Sequence, residues 1–272
     1  MKRLIALFSL PYILMFGLAA LPTGHKKEAP PGTIKLKDNL YIDAIPIRNL
    51  DYLEFLNFSK TYNWEKFFDN SRSLPAYGLT WDSLSVLFHE YPSDASFLQQ
   101  FVPADSMVEI YSKDITHPKG ANPFRHREYD NYPVTNISYA QAVKFCEWRT
   151  HMVACYIAIN CKTADEREKK YFSRLTYRLP SKEEWELAIK QFASKAKMGK
   201  REFAEGSPLT LASAISTKFI YHPFSIAEML NEKSKAEGLS YKDISLTDTF
   251  TQQNYDGPQP WLGFRCVCEV AE

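Results

Sequence analysis

The chain has 272 residues, 45% of them hydrophobic and 14% aromatic, which suits one large or two small domains with a substantial core. Its 33 basic and 32 acidic side chains leave a formal net charge of +1, which excludes a global electrostatic affinity for nucleic acid or for an anionic membrane surface. Sixteen prolines and ten glycines argue against a helical bundle and for a loop-rich globular fold.

Residues 1–20 read as an export signal. Lys2 and Arg3 precede an apolar run to Leu18, and Ala19 and Ala20 supply the small residues of a cleavage zone. The alternative is a single membrane anchor, on a run barely long enough to span a bilayer and interrupted by Pro11. No cysteine near position 20 supports lipid attachment there. Residues 21–32 follow as an exposed linker, and residues 33–272 as a single domain. The localisation expected is exported, periplasmic or associated with the cell envelope, with removal or retention of the signal left open.

The stretch GTIKLKDNLYIDAIPI (32–47) alternates in polarity and predicts one or two strands. A helix follows, with Leu50, Tyr52, Leu53 and Leu56 at helical spacing and Asn49 as its cap. Trp81, Leu84, Leu87 and Phe88 predict a short helix over 80–90. Residues 117–133 are nearly all turn formers and predict a long loop. Extended backbone over Pro133–Asn136 leads to Ser138, whose hydroxyl can accept from the first amides of a helix. Ala142, Phe145, Cys146 and Arg149 then share one face, and the helix is expected to continue past His151. The mixed charges of KTADEREKKYFSR (162–174) predict a solvated helix face.

In YRLPSKEEWELAIK (177–190), Ser181 and Glu184 have the spacing of a capping box, and Trp185, Leu187 and Ala188 form the side to be buried. The last segment, PWLGFRCVCEV (260–270), reads as a closing strand with Gly263 at a tight approach. Strands at both ends with helices between them argue for α+β. Five cysteines stand at 146, 155, 161, 266 and 268, an odd number with no zinc spacing.

Three of these segments occur in a telling order: YPVTNISYAQAVKFCEWR, YRLPSKEEWELA and LGFRCV. Together they resemble the sulfatase-modifying-factor family, best known for the formylglycine-generating enzymes. The resemblance covers about residues 33–272 and is dense in 132–149, 177–188 and 262–267. It implies a large, irregular, loop-rich α+β fold related to C-type lectins. Ser138, Trp148, Arg178, Pro180, Glu184, Trp185, Gly263 and Arg265 fall on framework positions of that fold, with Arg265 expected in a buried ion pair. The insertion between Trp148 and Tyr177 resembles Bacteroidetes-type members, including gliding-motility and type IX secretion lipoproteins.

The resemblance also implies a chemistry that this chain departs from. Formylglycine-generating enzymes hold copper(I) between two cysteine thiolates, soft ligands for a soft ion. The corresponding stretch here, 235–264, has no cysteine, although Gly238, Ser240 and Tyr241 echo a G-S-W motif. A second branch uses iron on histidines; His89, His117, His126 and His222 lack its spacing. The family's calcium motif is reduced in YHPFSIAEML (221–230), where Ser225 stands for asparagine and Phe224 for glycine. Glu228 is left as the one acidic match and a weak metal candidate, with pairing to a basic side chain as its other reading.

These departures imply no catalytic residue and no cofactor, with calcium left open and copper and iron disfavoured. A disulfide between Cys146 and Cys266 is implied by the resemblance. Cys155 and Cys161 are either a second bridge or two buried thiols, and Cys268 is the odd one. The function implied is a non-catalytic binding or scaffold protein with envelope protein partners and no nucleic acid. The alternative is an oxidoreductase with another ligand set drawn from the four histidines. A glycan-binding surface through Trp81, Tyr255 or Trp261 is set against packing roles for the same rings.

Overall fold

The computed structural model describes residues 27–70, 74–103, 124, 127–193, 219–223, 225–243 and 250–271. The expected signal at 1–20, most of the expected 117–133 loop, His117, His126 and Phe224 therefore lie outside the described residues.

The architecture is α+β. In chain order it runs β1 (Thr33–Lys37), β2 (Leu40–Asp43), α1 (Asn49–Thr61), α2 (Trp64–Asn70), α3 (Trp81–His89), α4 (Ala95–Gln99), α5 (Tyr139–Asn160), α6 (Ala164–Lys170), β3 (Arg174–Arg178), α7 (Lys182–Phe192), β4 (Ala227–Met229), β5 (Lys235–Glu237), β6 (Gln252–Asn254), β7 (Leu262–Gly263) and β8 (Val267–Ala271). Among the described residues two four-stranded sheets form, in the orders β1-β2-β8-β3 and β6-β5-β4-β7.

The first sheet is antiparallel throughout. Its centre is the last strand, β8, with Cys268 paired to Tyr41 on β2 and to Tyr177 on β3. The two ends of the described chain are thereby joined. The alternation read in both segments explains this: Ile42, Val267, Cys268 and Val270 are buried while Glu269 is exposed. In the second sheet β4 pairs antiparallel with β5 and parallel with β7, so Glu228 lies between Glu237 and Gly263.

Helix α5 runs unbroken through 22 residues. Ser138 Oγ accepts from Gln141 N (3.2 Å) and Gln141 Oε1 accepts from Ser138 N (2.7 Å), so two otherwise orphan amides are satisfied. Its apolar face enters an aromatic core with Tyr52, Phe55, Trp64, Phe101, Phe145 and Trp148. Ring pairs there, such as Phe55–Phe145 at 5.7 Å and 87°, each contribute about 0.5–1.5 kcal/mol beyond their buried area. A smaller core gathers Ile42, Trp185, Ala188, Ile189, Tyr221 and Val267.

Two expectations are corrected, and one open alternative is decided. The cap of α1 is Arg48, not Asn49: Asp51 accepts from the Arg48 N–H (2.9 Å), while the Asn49 amide donates to the Tyr129 carbonyl. On α7 the third buried residue is Ile189. Positions 185, 188 and 189 follow the i, i+3, i+4 stripe, and Leu187 falls off it, 36% exposed. A Cys155–Cys161 bridge is ruled out by α5, which continues to Asn160 with Cys161 as its C-cap. Six helical steps separate the two Cα atoms by about 9 Å, beyond the roughly 7 Å that a disulfide spans.

Candidate functional site

The second sheet and the segment entering β8 carry the residues aligned with the expected metal sites. Gly263 on β7 is fully packed: an added Cβ would lie 2.7 Å from the Val134 carbonyl oxygen and 2.6 Å from Ile226 Cδ1. That close approach lets β7 lie beside β4 and places Arg265 beneath Glu228. Gly238 has φ +92° and faces the Trp185 ring, whose Cζ2 would stand 3.1 Å from a Cβ, so both its backbone and its space favour glycine.

Glu228 is 1% exposed and fully engaged. Arg265 Nε donates to its Oε2 (2.5 Å) and Arg265 Nη2 to its Oε1 (2.6 Å), and the Trp185 indole N–H donates to Oε2 (2.9 Å). Arg265 is sealed from solvent. Its other donors reach the Asp43 carbonyl (3.1 Å) and the Ile220 carbonyl (3.2 Å), and its guanidinium lies 4.4 Å over the Phe219 ring. A cation placed on Glu228 would face that guanidinium. The weak metal candidate is therefore a structural carboxylate, and Ser225 and Glu228 do not fit calcium. Directly across the sheet, Glu237 is also buried, with Lys182 Nζ at 3.4 Å.

A second buried pair stands at the junction with the first sheet. Asp43 Oδ1 lies 2.8 Å from Arg149 Nη2, and Asp43 Oδ2 accepts from Arg149 Nη1 (2.9 Å) and from the Cys266 N–H (2.7 Å). The guanidinium stacks 4.2 Å from the Tyr177 ring. Burial works against its charge, but the Asp43 carboxylate together with Tyr177 and Cys266 outweighs burial, and Arg149 is raised well above the usual arginine value.

Cys146 and Cys266 meet in the core, sulfur to sulfur at 3.3 Å, as thiols. All five cysteines are buried. Burial pushes the Cys266 thiol well above its ordinary value, and the thiols of Cys155 and Cys268 to about 12. None of the five cysteines lies in the 235–264 stretch, where the resemblance implies the copper ligands.

The G-S-W echo forms a turn. Ser240 N–H and Oγ donate to Asp243 Oδ2 (2.8 and 2.7 Å), and Gln253 Nε2 bridges that oxygen (2.9 Å) and the Gly238 carbonyl (2.7 Å). Lys242 Nζ sits 3.8 Å above the Trp261 ring.

The remaining residues fall as follows. Arg178 holds Glu184 through both guanidinium nitrogens (2.8 Å each) and reaches Glu269, while Pro180 accepts from Asn231 N–H (2.8 Å). His89 ends α3, its Nδ1 2.6 Å from the Ser85 carbonyl. Among the described residues, no group of three His, Cys, Asp or Glu side chains converges. Of the three rings weighed for glycan contact, Tyr255 and Trp261 are buried and Trp81 is 39% exposed. Sequence reasoning did not single out Asp43, Lys182 or Glu237. For Asp43 the available signal was an acid inside the apolar strand YIDAI (41–45), where only a partner makes burial tolerable; Glu237 in SKAEG (234–238) has no such apolar surround in the sequence.

A family model described as "Sulfatase-modifying factor enzyme 1-like domain" matches residues 14–238. No curated protein matches. Among solved structures the chain is similar to Treponema denticola variable protein 1, with 12% identity, 85% of this chain and 84% of that chain covered, and a TM-score of 0.34.

Proposed function

The chain belongs to the sulfatase-modifying factor enzyme 1-like domain family, and on that premise we propose that it is an exported protein of the cell envelope that works by binding. On this reading the C-type-lectin-like α+β fold serves as a scaffold for envelope protein partners, without oxidative chemistry. The observation that carries the reading is the placement of sulfur: no cysteine lies between Cys161 and Cys266, where the resemblance calls for two copper thiolates. The use of Glu228 as the counter-ion of Arg265 supports it from the calcium side. A role beside gliding-motility or type IX secretion components follows from the insertion between Trp148 and Tyr177, and is the partner class we propose.

Export exposes Cys146 and Cys266 to an oxidising compartment. Their bond would close a loop of sequence separation 120 and contribute roughly 2–5 kcal/mol. Thiol titration of the denatured, unreduced protein should then find three reactive cysteines of the five.

The test is direct. Full-length protein is incubated with copper(I), oxygen, a thiol reductant and a sulfatase-derived cysteine peptide, and aldehyde is trapped with a hydrazine probe. The proposal expects no product, and no change in Tm between calcium and chelator. Aldehyde on the peptide overturns it.

A further inference from the structure

The first described residues, the loop before α3 and helix α6 line a cavity of about 280 Å³, with Lys27, Tyr77, Arg167, Glu168, Tyr171 and Ser173 among its walls. Backbone bonds hold these walls to the framework. Gly78 N–H donates to the Cys161 carbonyl (2.7 Å) and Leu79 N–H to the Ala158 carbonyl (3.2 Å), which fixes the loop bearing Tyr77 against the end of α5. Glu28 N–H donates to the Lys170 carbonyl (2.8 Å), and Ser173 N–H to the Ala271 carbonyl (3.0 Å). Walls set in advance cost little further ordering when a guest enters. Tyr171 is buried, whereas Tyr77 keeps 42% of its surface open.

The charges on α6 divide into two sets. Lys169 lies 2.7 Å from Asp165, Lys170 lies 3.6 Å from Glu28, and Glu166 Oε2 accepts from the Lys162 N–H (2.8 Å). Those groups are engaged within the fold. Among the described residues, Arg167 and Glu168 form no ion pair. Arg167 Nη2 donates to the Ser173 carbonyl (2.9 Å), which ties the guanidinium down and leaves its other donors for a guest. Glu168 has Lys169 beside it in the chain, but that ammonium is bonded to Asp165. Lys27, its Nζ 5.7 Å from the Phe172 ring centre, adds a second cation to the lining.

Two charges of opposite sign on one cavity fit a guest that carries both. An anion alone would meet Glu168, and a cation alone would meet Arg167 and Lys27. Pockets for drug-sized ligands hold about 300–1,000 Å³, so the guest here is smaller. We propose that this cavity binds a small zwitterion of the free α-amino-acid class, its carboxylate on the Arg167 fork, its ammonium on Glu168 and its side chain along the Tyr77 ring. A planar guanidinium matches a carboxylate through two parallel hydrogen bonds, and an aromatic ring favours an apolar or aromatic side chain. Neither export nor an envelope partner is needed for this site.

The test titrates full-length protein with L-phenylalanine, and binding is read by saturation-transfer NMR. Phenethylamine and 3-phenylpropionate, each lacking one charge, and O-phosphoethanolamine, a lipid-headgroup zwitterion, are titrated beside it. L-Phenylalanine should bind with a Kd of about 1 mM or below, and the two single-charge analogues about fivefold or more weakly. Glu168→Gln should weaken L-phenylalanine by about fivefold at unchanged Tm, because that side chain is exposed. Arg167→Gln should do the same, with Arg167→Lys recovering only part, since a lysine has no fork. Lys35→Gln on β1 should bind like the native chain. No transfer to L-phenylalanine well above that Kd, equal affinity for the single-charge analogues, or an unchanged Kd in Glu168→Gln overturns the proposal. Tighter binding of O-phosphoethanolamine than of L-phenylalanine overturns the amino-acid assignment.

Discussion

Arg149 and Arg265 are both buried against a carboxylate, yet they are held in different ways. Arg149 keeps 15% of its side-chain surface, shares Asp43 with a backbone amide and lies on a tyrosine ring. Arg265 keeps none, and two carbonyls complete the coverage that Glu228 begins. Taking a charge out of water costs several kcal/mol unless its donors are met, so the more deeply sealed pair needs the fuller set of partners. The comparison also shows why position along the chain is a poor guide to ligand chemistry. Glu228 stands where a calcium ligand is expected, but its lone pairs are spent on Arg265 and Trp185.

The largest effect should come from breaking the sealed pair. Glu228→Ala leaves Arg265 buried without its counter-ion and should lower stability by about 3–5 kcal/mol, read from the urea midpoint. Asp43→Asn removes charge at the partly solvated pair and is expected to lower stability by about 2 kcal/mol, because Arg149 can turn toward water. Equal losses in the two variants would undo the distinction between them. Gly263→Ala drives a Cβ against Val134 O and Ile226 and should cost about 1–3 kcal/mol; circular dichroism melting beside Gly257→Ala, which meets no neighbour and carries only the backbone strain of φ +71°, sets a loss from packing against a loss from strain.

The smallest effect is a matter of pH. Burial pushes the Glu184 carboxyl up, but the Arg178 guanidinium and the Ser181 amide outweigh it and hold the group below the ordinary glutamate value. A carboxyl depressed in the folded state stabilises above its unfolded value and loses that contribution as pH falls through the folded one. The Tm gap between the native chain and Glu184→Gln should therefore be full near neutrality and close below about pH 4, the model-peptide value for glutamate. A gap that stays constant down to acid pH would assign the loss to the cap's shape instead of its charge.

Local chemistry was legible where a few neighbouring residues decide the outcome. The Ser138 and Ser181 caps, the run of α5 and the alternation of β8 all depend on side chains within a turn or two of one another. Asn49 misled for the same reason in reverse: its amide is taken by Tyr129, eighty positions away in the chain. For Tyr255 and Trp261 the structure bears out the packing reading over the surface one, and exposure belongs to the assembled packing, not to ring type.

By itself the sequence determined the family, the α+β class, the Ser138 and Ser181 caps and the absence of cysteine where copper would need it. Only the tertiary structure decided which buried charges are partners: Asp43 with Arg149, Glu228 with Arg265, Glu237 near Lys182. Caps and amphipathic stripes are short-range geometry, fixed by the chain's own periodicity. The sense of a buried carboxylate, ligand or counter-ion, depends on which cation the fold brings within about 3 Å, the reach of a charge-assisted hydrogen bond.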